Sequence, residues 1–420
     1  MNQNKILFSP GTWENTELGR GFQPLGFHMF TIDQYLSRLE DEGKEVIRLT
    51  LGKSDRPLSE NVKNAMKQVL EQPENILRVD SEGNGKLRSE IAGYYNNRFR
   101  TQIKPENIVI GSQGTSSLYR DMFIMLLQDG GEVLLPKPGY ILYEASARLM
   151  QAICKGKVYI KYYDIDLRTN RIDLDSFRKN FDFEKNRIVV FNSPGNPTGN
   201  LISKEEWQSL ISIINQGERS VLISDQVYGN VVFGGEKYPS ILEEGLNKQL
   251  RIPYIVTDSM SKGFEMYTFR VGFAIIPEEL KEPITTFQRN FSLTPPVISQ
   301  FGAIAALRQE DVVQSLSKLY QERNEYICRA FRRSDSVRLL KSEGGFYCVI
   351  DCGIFMKQHR ITSDLDLAFH IAKRTYPHVG VTPGSDFGAP GYIRISFSPK
   401  NFQAGIDGLA SFFGGKCGTL

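Results

Sequence analysis

The chain has 420 residues, 40% of them hydrophobic and 24% charged, with a formal net charge of +3. That length and mix suit a globular protein with one large and one smaller domain. The net charge says little about partners, but no basic block interleaved with aromatics suggests nucleic-acid binding, and the N-terminus Met1–Leu7 shows no apolar stretch long enough for a signal peptide or membrane helix. Five cysteines, Cys154, Cys328, Cys348, Cys352 and Cys417, form an odd, scattered set expected of reduced thiols in the cytoplasm. The four histidines stand at no ligand spacing from them, so no metal site is expected.

In chain order, Phe30 to Glu42 reads as a helix with Phe30, Ile32, Tyr35, Leu36 and Leu39 at apolar positions. Apolar runs then alternate with helical stretches, without repeats or low-complexity linkers, as in a doubly wound α/β sheet. Ile108-Val109-Ile110 leads through Gly111-Ser112-Gln113-Gly114 into Thr115-Ser116-Ser117, which reads as a strand, a glycine turn and the first turn of a helix. Free backbone N–H groups at such a place bind anions, and Gln113, Gly114 and Thr115 are candidate phosphate contacts. Ser/Thr clusters of this kind also simply cap helices.

Three further runs end in polar clusters. Arg187-Ile188-Val189-Val190-Phe191 runs into Asn192-Ser193-Pro194-Gly195-Asn196-Pro197-Thr198-Gly199, and Ser220-Val221-Leu222-Ile223 into Ser224-Asp225-Gln226-Val227-Tyr228. Tyr254-Ile255-Val256-Thr257 is followed by Ser259-Met260-Ser261-Lys262, with Arg270 eight residues later. Ligands of open α/β sheets bind beyond the carboxyl ends of parallel strands, so the three clusters are expected to form one site. Lys262, fenced by hydroxyls and followed by an arginine, suits a Schiff-base amine whose cofactor phosphate needs a clamp. Read alone it is equally a surface lysine after a strand. Last, Gly391-Tyr392-Ile393-Arg394-Ile395-Ser396-Phe397 alternates like a half-exposed strand.

The ordered set, Asn-Pro-x-Gly at Asn196, Asp-x-x-Tyr at Asp225 and Tyr228, and Ser-x-Ser-Lys with its following Arg270, resembles the class I/II aminotransferases. These are pyridoxal-phosphate enzymes of fold type I, and the likeness runs from about Val46 to Phe413. It implies a mostly parallel doubly wound sheet in a large domain, residues 51–300, and a small α+β domain made of 301–420 with the arm and start contributed by 1–50. It implies that Asp225 keeps the cofactor ring nitrogen protonated, that Tyr228 and Asn196 donate to its phenolic oxygen, and that Ser259 and Arg270 join the phosphate cradle. By the same likeness Tyr140, after Pro136-Lys137-Pro138-Gly139, stacks on the ring, Gly52 lies against the substrate carboxylate with Asn196 nearby, and Arg394 holds that carboxylate. A homodimer with shared sites is implied, with an amino acid as substrate.

Departures from the family pattern are Arg78, where many members carry a tyrosine that reaches the partner's phosphate, Gln226 after Asp225, and Thr268 before Arg270. Lys53 and Asp55 would stand near the pocket mouth, or be solvated loop charges. The leading expectation is an aminotransferase, with Lys262 moving the Cα proton. A lyase or cyclase resembling capreomycidine synthase, eliminating a β- or γ-substituent with the same residues, is the alternative. The acyltransferase branch usually has histidines where Tyr140 and Tyr228 stand, and a DNA-binding regulator would need a helix-turn-helix ahead of Val46.

Overall fold

The computed structural model describes residues 19, 27–54, 56–72, 74, 80–235 and 237–414. Arg78, Asp55 and Cys417 therefore lie outside the described residues. After a short strand β1 (Val46–Arg48) come β2 (Ile108–Gly114), β3 (Gly131–Lys137), β4 (Val158–Asp166), β5 (Arg171–Ile172), β6 (Asn186–Asn192), β7 (Val221–Asp225), β8 (Tyr254–Ser259) and β9 (Gly272–Ile275). Strands β2 to β9 form one eight-stranded sheet in the order β2-β9-β8-β7-β6-β3-β4-β5. Its five consecutive strands β8-β7-β6-β3-β4 are parallel, while β9 runs antiparallel to both β8 and β2, and β5 antiparallel to β4.

The Val- and Ile-rich runs form these strands because a parallel sheet is covered on both faces, which calls for continuous rather than alternating hydrophobicity. Ile188, Val189 and Val190 of β6 and Ile255 and Val256 of β8 are all fully buried. Strand order reverses beside β3: the chain crosses from β3 to β4 on one side and later places β6 on the other. The carboxyl ends of β3 and β6 therefore flank a crevice, the place where such sheets take ligands.

A second sheet, order β10-β11-β14-β13, contains β10 (Arg338–Leu340), β11 (Tyr347–Asp351), β13 (Thr382–Pro383) and β14 (Tyr392–Ser396), while β12 (His378–Gly380) pairs in parallel with β1. One apolar cluster joins Ile32, Leu36, Leu39 and Ile47 to residues between Leu316 and Phe413. The early helix thus packs with the C-terminal part of the chain.

Two local expectations are corrected. Helix α1 spans His28–Asp41 and so begins two residues before Phe30. The Asp386 carboxylate, 358 positions away, accepts from the His28 and Met29 backbone N–H groups at 3.0 and 2.8 Å, a cap that no local pattern could reveal. Strand β14 is not half-exposed: it lies between β11 and β13, and Ile393, Arg394, Ile395 and Ser396 are all buried.

Candidate active site

The three polar clusters meet at one cavity of about 380 Å³. Gly52, Thr115, Tyr140, Asn196, Asp225, Tyr228, Ser259, Lys262, Arg270 and Arg394 all line it. Gln113 and Gly114 do not line it; the Gln113 carbonyl accepts from Arg270 Nη2 at 3.1 Å. Lys53 is exposed and does not line the cavity, and Gln226 is buried away from it, bonded to Ser224 and Ser240.

Lys262 follows β8 on a short helix, Met260–Gly263, whose first N–H groups are capped by Ser259: its Oγ accepts from Ser261 N at 3.0 Å. The ammonium donates to the Gly52 carbonyl at 2.7 Å and sits over the rings of Tyr267, Phe346 and Tyr228 at 4.9, 5.4 and 5.8 Å. Burial holds its pKa below the usual lysine value, helped by the Arg394 and Arg270 charges and opposed by Tyr347 and Asp225. A lysine so placed reaches its neutral, nucleophilic form more readily than one in water.

Asp225 ends β7 and is 2% exposed. Its carboxylate accepts from Tyr143 Oη and from Val227 N, the latter at 3.1 Å. Burial raises its pKa against the hydrogen bonds of Tyr119 and Tyr143. Among the described residues it forms no ion pair although it faces the cavity, so the site presents a desolvated carboxylate suited to a cationic N–H. A protonated pyridine nitrogen meets that requirement.

At the other end, helix α2 (Thr115–Leu126) begins after Gly114 with no side-chain cap, leaving its first N–H groups for an anion. Gly114 has φ 74°, and a Cβ there would sit 2.9 Å from Arg270 Nη2, so the position suits glycine on both counts. Arg270, itself at φ 54°, is braced by the carbonyls of Tyr267 and Gln113 at 3.0 and 3.1 Å. Thr115, Ser116, Ser259, Ser261 and Arg270 thus surround one corner of the cavity with donors, the chemistry a phosphate needs.

Arg394 is 3% exposed and lies between the rings of Tyr347 and Phe387 at 4.2 and 4.5 Å. It donates to Asn196 Oδ1 at 3.0 Å, to Thr382 Oγ1 at 3.1 Å and to the Thr50 carbonyl, while its buried Nε has no partner. A guanidinium held this firmly on the cavity wall fits an incoming carboxylate. Because the Asn196 oxygen is taken by Arg394, its amide N–H groups are left for the cavity. Asn192, also on the wall, steadies that loop by accepting from Asn196 N at 2.7 Å.

Sequence reasoning missed Tyr143, Tyr267 and Tyr347. Tyr347 begins β11, and its hydroxyl occupies the space a side chain at Gly52 would need. Burial pushes its pKa up, but Lys262, Arg394 and hydrogen bonds with Tyr228 and Gly52 outweigh that and hold it below the ordinary tyrosine value. Tyr143 lies one helical turn beyond Tyr140, a spacing that could have flagged it once Tyr140 was chosen.

Among the described residues no helix is long and apolar enough to cross a membrane, and no group of three or more His, Cys, Asp and Glu could hold a metal. The family model for aminotransferase class I and II matches residues 44–410. An aspartate aminotransferase of Bacillus sp. (strain YM-2) is 26% identical over 361 residues, 86% of this chain and 89% of that protein. The (5-formylfuran-3-yl)methyl phosphate transaminase of Methanocaldococcus jannaschii is 27% identical over 402 residues, covering 92% and 98%. In fold, the chain is similar to the solved structure of the aspartate aminotransferase from Rhizobium meliloti, with a TM-score of 0.81 at 23% identity over 92% of this chain and 96% of that one. A match that spans nearly the whole chain, on a site whose carboxylate, lysine and anion corner suit pyridoxal phosphate, makes this protein a member of the class I and II aminotransferase family, a pyridoxal-phosphate-dependent aminotransferase.

Proposed function

We propose that this chain moves the amino group of an α-amino acid to a 2-oxo acid, with Lys262 as the base, Asp225 and Tyr228 tuning the cofactor, and Arg394 holding the substrate carboxylate. The observation that carries this reading is that one cavity is lined by the Lys262 amine, by the buried Asp225 carboxylate, which forms no ion pair among the described residues, and by the buried Arg394 guanidinium. Pyridoxal phosphate, when bound, supplies an electron sink for the pair left by the broken Cα–H bond. Asn196 and Tyr228 would donate to its phenolic oxygen, Thr115, Ser259 and Arg270 would hold its phosphate, and Tyr140 would cover its ring.

The remaining steps belong to the protein. Arg394 fixes the α-carboxylate and so selects which Cα bond is cleaved. Lys262, its amine favoured in the neutral form by burial, takes the Cα proton and carries it to its new position within the same cavity. The apolar rings around Lys262 exclude water from that transfer.

We also propose a division into a large domain of residues 51–300 and a small one of 301–420 joined by 1–50; the apolar cluster shared by α1 and the C-terminal sheet supports it. A homodimer is proposed on the family likeness, with the exposed Phe291 and Leu293 among the apolar groups a partner would cover. The four free cysteines of the described residues support a cytoplasmic location.

The deciding test is anaerobic stopped-flow absorbance of the holoenzyme with amino acids, with Lys262→Ala as control. Conversion of bound pyridoxal to the pyridoxamine form, reversed by a 2-oxo acid and absent in the control, is expected. Return to the starting spectrum with release of ammonia or a cyclised product would overturn transamination in favour of a lyase or cyclase.

A further inference from the structure

We infer that the substrate of this enzyme carries an uncharged, apolar or aromatic side chain, and that Phe27, Met29 and Phe30 form the wall that recognises it; the inference rests on the aminotransferase reading above. The charged side chains on the cavity wall, among the described residues, are Asp225, Lys262, Arg270 and Arg394. Each is engaged before a substrate side chain arrives. Arg270 is braced by the Tyr267 and Gln113 carbonyls, Arg394 by Asn196, Thr382 and Thr50 beside two rings, Lys262 donates to the Gly52 carbonyl, and Asp225 accepts from Tyr143. The rest of the wall is largely apolar, with Phe27, Met29, Phe30, Leu51, Ile141 and Leu142 facing the cavity. Against these groups a hydrocarbon or ring would be buried favourably, whereas they offer a carboxylate only desolvation.

The wall is built with care for position. Phe27 stands in the left-handed region at φ 44° and ψ 30°, a conformation a bulky side chain adopts only when its surroundings hold it there. Three contacts do so: the Phe27 carbonyl accepts from Phe30 N at 3.0 Å, the two rings lie 6.0 Å apart, and the next two backbone N–H groups are fixed on Asp386. Asp386 is itself buried and also accepts from His28 Nδ1 at 2.8 Å. Met29 Sδ lies 3.6 Å from Arg394 Nη2, so the apolar wall begins beside the carboxylate clamp. The side chain of an amino acid leaves the carbon that bears its carboxylate and therefore meets this wall first.

The test measures kcat/KM of the amino-donor half-reaction on full-length holoenzyme for L-leucine, L-methionine, L-phenylalanine, L-aspartate and L-glutamate, with L-alanine as the small reference. Leucine, methionine or phenylalanine should exceed both acidic amino acids by at least about tenfold. Aspartate or glutamate as the preferred donor would overturn the inference while leaving the aminotransferase reading intact. No reaction with any of the six, with cofactor bound, would take down both. In Phe27→Ala the preference for phenylalanine over alanine should fall about tenfold, and an unchanged ratio would remove Phe27 from the recognition wall.

Discussion

Asp258 offers the sharpest quantitative test of how the site is supported from below. It stands in β8, one residue before Ser259, and is 4% exposed. Tyr95 Oη donates to its Oδ2 and the Ser259 amide to its Oδ1. Burial pushes its carboxyl up to about 7 in spite of these bonds and the Arg98 charge, with Asp225 adding to the rise. The ordinary value is 3.8. Between these two values the folded chain keeps a proton that the unfolded chain has released, so the stability due to this group is whole below about pH 4 and is lost as pH rises through about 7. The full gap corresponds to on the order of 4 kcal/mol. Over the accessible range from pH 5 to 8 the loss is roughly 2–3 kcal/mol, since part of it has already occurred by pH 5. Asp258→Asn keeps the shape, lets its carbonyl accept from Ser259 and its amide donate to Tyr95, and removes the titration. In urea unfolding at matched salt, the variant should gain about 2–3 kcal/mol on the wild type between pH 5 and 8. Parallel stability curves would show that Asp258 is ionised in the folded protein throughout and would refute the reasoning.

Tyr347→Phe removes a hydroxyl that favours the charged form of Lys262. The pH profile for reconstituting apoenzyme with pyridoxal phosphate should therefore move to lower pH, because the neutral amine is the nucleophile; an unmoved profile would uncouple the two residues. Arg394→Lys replaces a planar fork set between two rings by a point charge, so KM for amino donors should rise at least about tenfold while cofactor affinity measured by dialysis is retained. Gly52→Ala would drive a Cβ into the Tyr347 hydroxyl and to within 2.6 Å of Phe346 Cε2. Overpacking of this kind costs about 1–3 kcal/mol, and a lowered thermal midpoint with reduced half-reaction rate is expected.

Which residues the sequence could reveal follows from how each is held in place. Lys262, Asp225 and Asn196 were legible because each ends or follows an apolar run, and the parallel sheet brings such ends together whatever their separation along the chain. Arg394 was legible only by family likeness: its local alternation suggested a solvent face, while the structure buries it by putting β13 on one side of β14 and β11 on the other. Tyr347 carries no local mark at all. It follows Gly344-Gly345-Phe346, a pattern that reads as an ordinary turn into a strand, and its place in the site comes from β11 pairing with β14 so that its ring covers Arg394 and its hydroxyl fills the space beside Gly52. Asp386 is the same case at greater range, since its function is to cap a helix that starts more than 350 residues earlier. The groups we propose to react are thus written in strand ends, whereas those proposed to aim them depend on contacts between the two sheets and α1. Substitutions in this second set should therefore alter KM, pH profile and substrate preference before they abolish turnover, the opposite of what Lys262→Ala would do.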